Sequence, residues 1–263
     1  MKISACIITF NEEKNIERAI NSVKWADEII VVDSESTDRT REIAESLGAK
    51  VFIQKWLGFG KQKQFAVEKA QNDWIFSLDA DEEVSEALRQ EILELKNSEQ
   101  FLADGYKIKR LSIYMNRKIK HGDWYPDWQL RLFNKKKGKW KDVPIHESVQ
   151  MNPGARIGKL KNDILHYSIE DFIQHNRMIG ERYAPLAALA MFQNGKRSSV
   201  MKIVVLPILA FFRSYFLKLG FLDGFAGFCV AYFTAHNNFM KHLLLWEMQQ
   251  NQKNRRSDQL LDR

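Results

Sequence analysis

Residues 74–83 read Trp74-Ile75-Phe76-Ser77-Leu78-Asp79-Ala80-Asp81-Glu82-Glu83. The first five are uncharged and, Ser77 apart, bulky and apolar, as in a short strand buried on both faces. Four carboxylates then fall in five positions at the strand's C-terminal end. Such a cluster repels itself unless a cation or solvent relieves it. Carboxylates at i and i+2 of a loop can both face one ligand. Mg2+ or Mn2+, held by one or two carboxylates plus phosphates of a substrate, is the chemistry expected there. Glu82 and Glu83 have a plainer use, as acids at the N-terminus of a helix starting at Ser85, where they complement the macrodipole. That account fits Asp79 and Asp81 less well.

Outward from this stretch, strand and helix patterns alternate. Ile3–Thr9 and Glu28–Asp33 are apolar, β-branched runs, and Lys50–Gln54 is a third strand. Between them Ile16, Ala19, Ile20 and Val23 recur at helical spacing. Ser36 or Thr37 can cap a second helix ending at Gly48. Lys61–Ala70 and Ser85–Lys96 complete the helices of this half. The alternation predicts a parallel sheet with right-handed crossovers. Beyond Gly105, short strand-like pieces predict a mixed, partly antiparallel half. From Glu170 the chain reads helical, with a boundary near Asn194-Gly195-Lys196-Arg197.

Parallel sheets bind ligands at the C-terminal ends of their strands. There is no GxGxxG and no GxxxxGK[ST], which argues against a dinucleotide fold and a P-loop ATPase. Gly58-Phe59-Gly60-Lys61 has the wrong spacing for either and reads as a flexible loop. Asp33 ends the second strand, where it can accept from a ribose or nucleobase or serve an Asx-type turn. Two cysteines with no CxxC make a disulfide scaffold and a cysteine zinc site improbable. His146-Glu147 lacks HExxH spacing, since position 150 is Gln, so a zinc protease is excluded.

Net charge is +7, but it is unevenly spread. Residues 1–106 carry a net −8, residues 107–141 a net +10, and residues 142–263 a net +5. Nucleic acid would suit the basic strip by charge alone, yet no recognition motif accompanies it. Lys135-Lys136-Lys137-Gly138-Lys139 reads as a solvated basic turn or a contact for phosphorylated head groups.

Taken together, Ile7–Glu13 (IITFNEE), Asp33–Thr40 (DSESTDRT), Gly60–Ala70 and Leu78–Glu83 resemble the family 2 glycosyltransferases of the GT-A fold. Tyr125–Phe133 (YPDWQLRLF) and Pro144–Val149 (PIHESV) resemble the subgroup building bacterial lipopolysaccharide inner core, in particular β-1,4-glucosyltransferases acting on a core heptose. The resemblance implies an α/β fold. Its mixed, mainly parallel GT-A sheet is flanked by helices, with residues 1–195 as the transferase domain. Residues 196–263 follow as an amphipathic helical region.

It also implies a UDP-sugar donor and an inverting transfer to a lipid-linked saccharide. Thr9, Asn11, Glu12 and Asp33 would line the nucleotide pocket. Asp79 would face the ribose or metal-bound water. Asp81, with Asp79, would hold Mg2+ or Mn2+; His146 is a candidate further ligand or diphosphate contact and His166 a second candidate, against a local hydrogen bond as the plain alternative for each. Asp127 would be the general base, with Asp123 as competitor. Gln129 and Arg131, on one strand face, would contact the diphosphate. Trp124, Tyr125 and Trp128 offer an acceptor platform by ring stacking, against core packing as the plain alternative. A polyprenyl-phosphate acceptor, and a non-catalytic sugar-nucleotide-binding membrane protein, stand as alternatives.

In the tail, Phe221, Phe225, Phe228, Tyr232, Ala235, Phe239, Leu243 and Trp246 form one helical stripe, broadened by Leu222, Cys229, Val230, Phe233 and Met240. Pro207, Arg213, Lys218 and Asp223 are expected to interrupt any stretch of about 18 apolar residues. A helical hairpin in the bilayer interface is therefore expected, with Lys202, Arg213, Lys218 and Lys241 meeting anionic head groups. Its alternative is packing on protein. No signal peptide is legible, so the expected place is cytoplasmic, peripheral on the inner face of the cell membrane.

Overall fold

Runs of apolar, β-branched residues become the strands at the centre of the fold. All seven residues of β1 (Ile3–Thr9) are buried, and β2 (Glu28–Asp33) and β4 (Trp74–Asp79) are nearly so. The computed structural model describes residues 1–98, 102–142, 147–167 and 169–261. Two compact units divide the chain, Met1–Ser112 with Asp127–Ser168, and Ile113–Pro126 with Ile169–Arg263.

In the first unit β3 (Lys50–Ile53), β2, β1 and β4 pair in parallel, in that order. The crossovers are α1 (Ile16–Ser22), α2 (Thr40–Ser46) and α3 (Phe59–Lys69). After β4 come β5 (Glu82–Val84), α4 (Glu86–Asn97) and β6 (Gly105–Tyr114); the two-residue β7 (Arg117–Lys118) belongs to the second unit. β8 (Asp127–Asn134) then inserts antiparallel between β4 and β6. β9 (Gly138–Trp140) and β10 (Val149–Met151) form a separate two-stranded ribbon. Finally β11 (Ile157–His166) runs parallel to β6 and carries β5 antiparallel on its far side. This order brings the ends of β1, β2, β4, β6 and β11 and the start of β8 to one edge of the sheet. It is a mixed, mainly parallel α/β sheet of GT-A type, as the resemblance implies. Ile7, Phe76, Leu78, Leu88 and Ile108 belong to the buried cluster on one face, and Ile8, Ile30, Val67 and Phe133 to that on the other.

Two local expectations are corrected. Neither Ser36 nor Thr37 caps α2; the Thr40 amide donates to Asp38 Oδ1 at 3.0 Å. Gly58–Lys61 is no flexible loop, because α3 begins at Phe59. Gly58 takes φ +95°, and a Cβ on Gly60 would overlap the Lys141 carbonyl oxygen, so close backbone approach requires glycine there.

The second unit holds α5 (Phe172–Met178), α6 (Ala184–Gln193), α7 (Val200–Phe212) and α8 (Gly224–Leu261). Asp171 caps α5, accepting from the Gln174 amide at 2.7 Å. Pro207 does not break α7, which runs on through a π-helical turn to Leu217. The resulting 18 residues, Val200–Leu217, are long and apolar enough to cross a membrane, and only 17 % of them are buried. The expected interruption by Pro207 and Arg213 is thus corrected. The stripe also divides. Cys229, Val230 and Phe233 pack inward, whereas Phe221, Phe225, Phe228, Tyr232 and Phe239 are exposed.

Candidate active site

The nucleotide side is built from two loops that knit together. Asn11 takes a left-handed φ of 54° after β1, and its amide donates to Ser36 Oγ at 2.8 Å. Its own Oδ1 accepts from the Thr37 amide at 2.8 Å, and the Glu12 amide donates to Thr40 Oγ1 at 2.8 Å. Asp33 is fully buried. It accepts from the Ser36 amide at 2.9 Å and from the Ser36 hydroxyl, with Arg41 Nε 3.6 Å away. Its carboxylate therefore shapes the loop through an Asx-type turn. Thr9 Oγ1 is buried with no hydrogen-bond partner, so a polar atom at the end of β1 is left for a ligand.

The acidic loop after β4 is relieved chiefly by cations of its own chain. Lys63, 3 % exposed, lies 3.0 Å from Asp79 Oδ1 and 3.1 Å from Glu147 Oε1. Arg131, also 3 % exposed, reaches Asp79 Oδ2 at 3.0 Å and Glu82 Oε1 at 2.5 Å. Burial alone would raise the Asp79 carboxyl. Lys63 and Arg131 outweigh it and hold Asp79 well below the usual carboxylate range. Burial works against the Arg131 charge, but Glu82 and Asp79 raise its guanidinium still further.

Two expectations change here. Arg131 is committed to buried acids and is not a free diphosphate clamp. Glu82 and Glu83 do not serve the start of α4. Glu82 is fully buried between Arg131 and Arg110, and accepts from the Asp79 amide at 3.0 Å. Glu83 accepts from the Tyr167 hydroxyl at 2.8 Å, with Arg18 stacked 3.7 Å over the Tyr167 ring.

Asp81 differs from Asp79. Its Oδ2 lies 3.1 Å from Nε2 of His166, the last residue of β11, with no cation on it among the described ion pairs. Among the described residues no three acidic, histidine or cysteine side chains converge as a metal-ligand group. His146 lies outside the described residues. A carboxylate and an imidazole side by side, at a strand edge that receives phosphates, nevertheless fit one divalent cation whose remaining ligands come from substrate and water. The imidazole nitrogen suits Mn2+ better than Mg2+. Asp79 does not fit that role, because two cations already occupy it.

Asp127 opens β8. Arg110 reaches its Oδ2 at 2.8–2.9 Å, and Gln129 donates to its Oδ1 at 2.6 Å. Gln129 thus steadies Asp127. Trp128 has Lys159 Nζ 4.7 Å and Lys109 Nζ 5.7 Å from its ring centroid, which occupies the faces an acceptor sugar would use.

In the second unit, Trp124 packs edge-on against Tyr114 and His175 at 5.6 and 5.5 Å, which supports core packing over an open platform. Tyr125 belongs to the same loop. Asp123 is held at 2.8 Å by Arg213 and 2.7 Å by Lys218. Burial opposes it, but these two cations lower its carboxyl below the ordinary value.

Sequence reasoning missed Lys63, Arg110 and Glu147. A signal existed for Lys63. Gln62 and Lys63 precede Ala66 and Val67 by four residues, which puts two polar side chains on the buried face of α3.

The family model described as Glycosyl transferase family 2 matches residues 4–164. The chain belongs to that family. It is a glycosyltransferase, which sets aside the non-catalytic reading. A protein of Rickettsia bellii (strain RML369-C) named as an uncharacterized glycosyltransferase is 40% identical over 262 residues, 94% of this chain and 87% of its own length. The lipopolysaccharide core biosynthesis glycosyltransferase LpsC of Rhizobium meliloti is 28% identical over 259 residues, covering 93% of this chain and 94% of LpsC. Among solved structures, S. aureus TarS 1–349 in complex with UDP-GlcNAc superposes with a TM-score of 0.47 at 16% identity, over 95% of this chain and 92% of that one. The family 2 match includes Asp81 and Asp127 and ends two residues before His166.

Proposed function

We propose that this family 2 glycosyltransferase moves a sugar, glucose in the first instance, from a UDP-sugar to a lipid-linked saccharide of the lipopolysaccharide-core kind, with inversion at the anomeric carbon. The Asp81–His166 pair at the strand edge carries the donor half of this reading. The acceptor half is supported by likeness to LpsC along nearly the whole chain. Asp81 and His166 would hold Mn2+ or Mg2+. A bound divalent cation supplies Lewis-acid neutralisation of the charge on departing UDP.

Thr9, Asn11 and Glu12 line the nucleotide, with Asp33 fixing the loop beneath them. Asp127 takes the acceptor hydroxyl proton as that oxygen attacks the anomeric carbon from the face opposite UDP. Arg110 and Gln129 orient it. Asp123 is the poorer base, since two cations on its oxygens make it reluctant to accept a proton. The membrane partner is an anionic surface on the cytoplasmic side.

The test is UDP release from a panel of UDP-sugars with manganese and a truncated lipopolysaccharide acceptor, with the product anomer read by NMR. Acceptor-dependent release and an inverted anomer are expected. A retained anomer would exclude the single-displacement role of Asp127.

A further inference from the structure

Two carboxylates of the second unit bind one loop to the tip of an apolar hairpin. Asp223, at the tip between α7 and α8, accepts from the Lys120 and His121 amides at 3.0 and 2.8 Å and lies 2.8 Å from His121 Nδ1. Asp123, in the loop, holds Arg213 and Lys218 of the tip. The Gly122 amide donates to the Lys218 carbonyl at 2.9 Å, and a Cβ on Gly122 would come within 3.1 Å of Ser214 Oγ. Arg213 and Lys218 therefore both pair with Asp123 while keeping about half of each side chain exposed.

Apart from Lys202, Arg213 and Lys218, the outward residues of the hairpin are largely apolar. Met201, Val204, Ile208 and Phe212 step along one face of α7, and Phe225 and Tyr232 lie exposed on α8. No acidic residue occurs between Val200 and Leu222. Lys202 lies at the other end, in the first turn of α7, and donates to the Arg197 carbonyl at 2.9 Å. A helix face that long, uncharged and uncovered fits hydrocarbon.

Crossing the bilayer is excluded by the tip. Asp127 of β8 lies four steps along the chain from Asp123, a reach of about 14 Å when fully extended. The hydrocarbon core is about 30 Å thick. A tip that crossed would also draw Lys120 and Asp123 through the hydrocarbon, where charged side chains are costly. The reverse orientation would need residues 172–193 to return through the core with Arg177, Glu181 and Arg182.

Resting on the lipid-linked acceptor reading, we propose that α7 and the start of α8 lie in the plane of one leaflet. The Asp123 and Asp223 contacts then fix the loop of Trp124 and Tyr125, which runs directly into Asp127, to that lipid surface.

Three measurements test this, and the first two need no transfer activity. In spheroplasts, Leu222→Cys is expected to resist a membrane-impermeant maleimide and to react once the membrane is dissolved; labelling from outside would show a crossing and overturn the proposal. The unsubstituted chain, whose Cys6 and Cys229 are buried, is the control. With an environment-sensitive dye at Ile208→Cys, phosphatidylethanolamine–phosphatidylglycerol vesicles are expected to raise emission several-fold. Unchanged emission, or a lipid-free dimer that already shields the dye, would overturn it. Lastly, Asp223→Ala and, as a milder variant, His121→Ala are expected to keep vesicle binding and raise KM for the lipid-borne acceptor about fivefold, with KM for the UDP-sugar unchanged. Equal acceptor KM values in folded variants would overturn the clamp.

Discussion

The two units use the same ingredients, carboxylates facing Lys and Arg, to different ends. In the first unit Glu82, Lys63 and Arg131 are buried together beneath a strand edge, with half-buried Asp79 against both cations. Each cation answers an acid, and Asp81 is left beside a histidine. In the second unit Asp123 and Asp223 neutralise a hairpin tip whose other side chains are apolar. Charges packed under a site fix the direction of the few groups left uncommitted. Charges paired at one end of a helical hairpin leave the rest of its apolar face free to enter lipid. Position in the fold, and not composition, separates the two uses.

Exchange of the two loop acids strains this comparison hardest. Asp127→Asn is expected to lower kcat about 10³-fold, the size of a lost general base. Asp123→Asn should change kcat less than tenfold and act on acceptor KM. The reverse ranking, in steady-state kinetics on truncated acceptor, would exchange the roles assigned to the two loops.

Removal of a buried partner comes next. Arg131→Leu leaves Glu82 and Asp79 without their shared cation, and a loss of about 3–5 kcal/mol in urea unfolding is expected. Replacing exposed Arg39, paired with Glu42, by Ala should leave the unfolding midpoint nearly unchanged.

Burial, with His236 second, lowers His175 to about 4 from an ordinary 6.5. Between those values the unfolded chain binds a proton that the native chain does not, so stability falls as pH drops from 6.5 towards 4. The loss is of the order of 1–3 kcal/mol. His175→Phe should flatten that slope in unfolding curves at pH 7 and pH 4.5. An unchanged slope would show that other groups supply it.

The parallel half of the sheet was legible because buried strands write their own signature. Ile3–Thr9 and Trp74–Leu78 read as strands from side-chain type alone, and the crossing helices announce themselves by spacing. The position of β8 was not legible. No local pattern says that Asp127–Asn134 inserts antiparallel between β4 and β6, and that insertion is what delivers Arg110 to Asp127. For the same reason Arg131 read as a phosphate contact, since its buried acids lie about 50 residues away in sequence. Asp81 was singled out from its spacing, but the choice of His166 as its neighbour depends on β11 ending opposite β5. The tail stripe was seen as a period, yet only packing tells Phe233, turned inward, from Phe225, turned outward.

The most direct test of the account is manganese-dependent UDP release from UDP-glucose with a truncated lipopolysaccharide acceptor, for the parent enzyme beside Asp81→Ala and His166→Ala. The account predicts about a 10³-fold loss in kcat for Asp81→Ala, a smaller loss for His166→Ala, and folding of both unchanged by circular dichroism. Full turnover by Asp81→Ala, or equal release by the parent enzyme with the metal chelated, would contradict it.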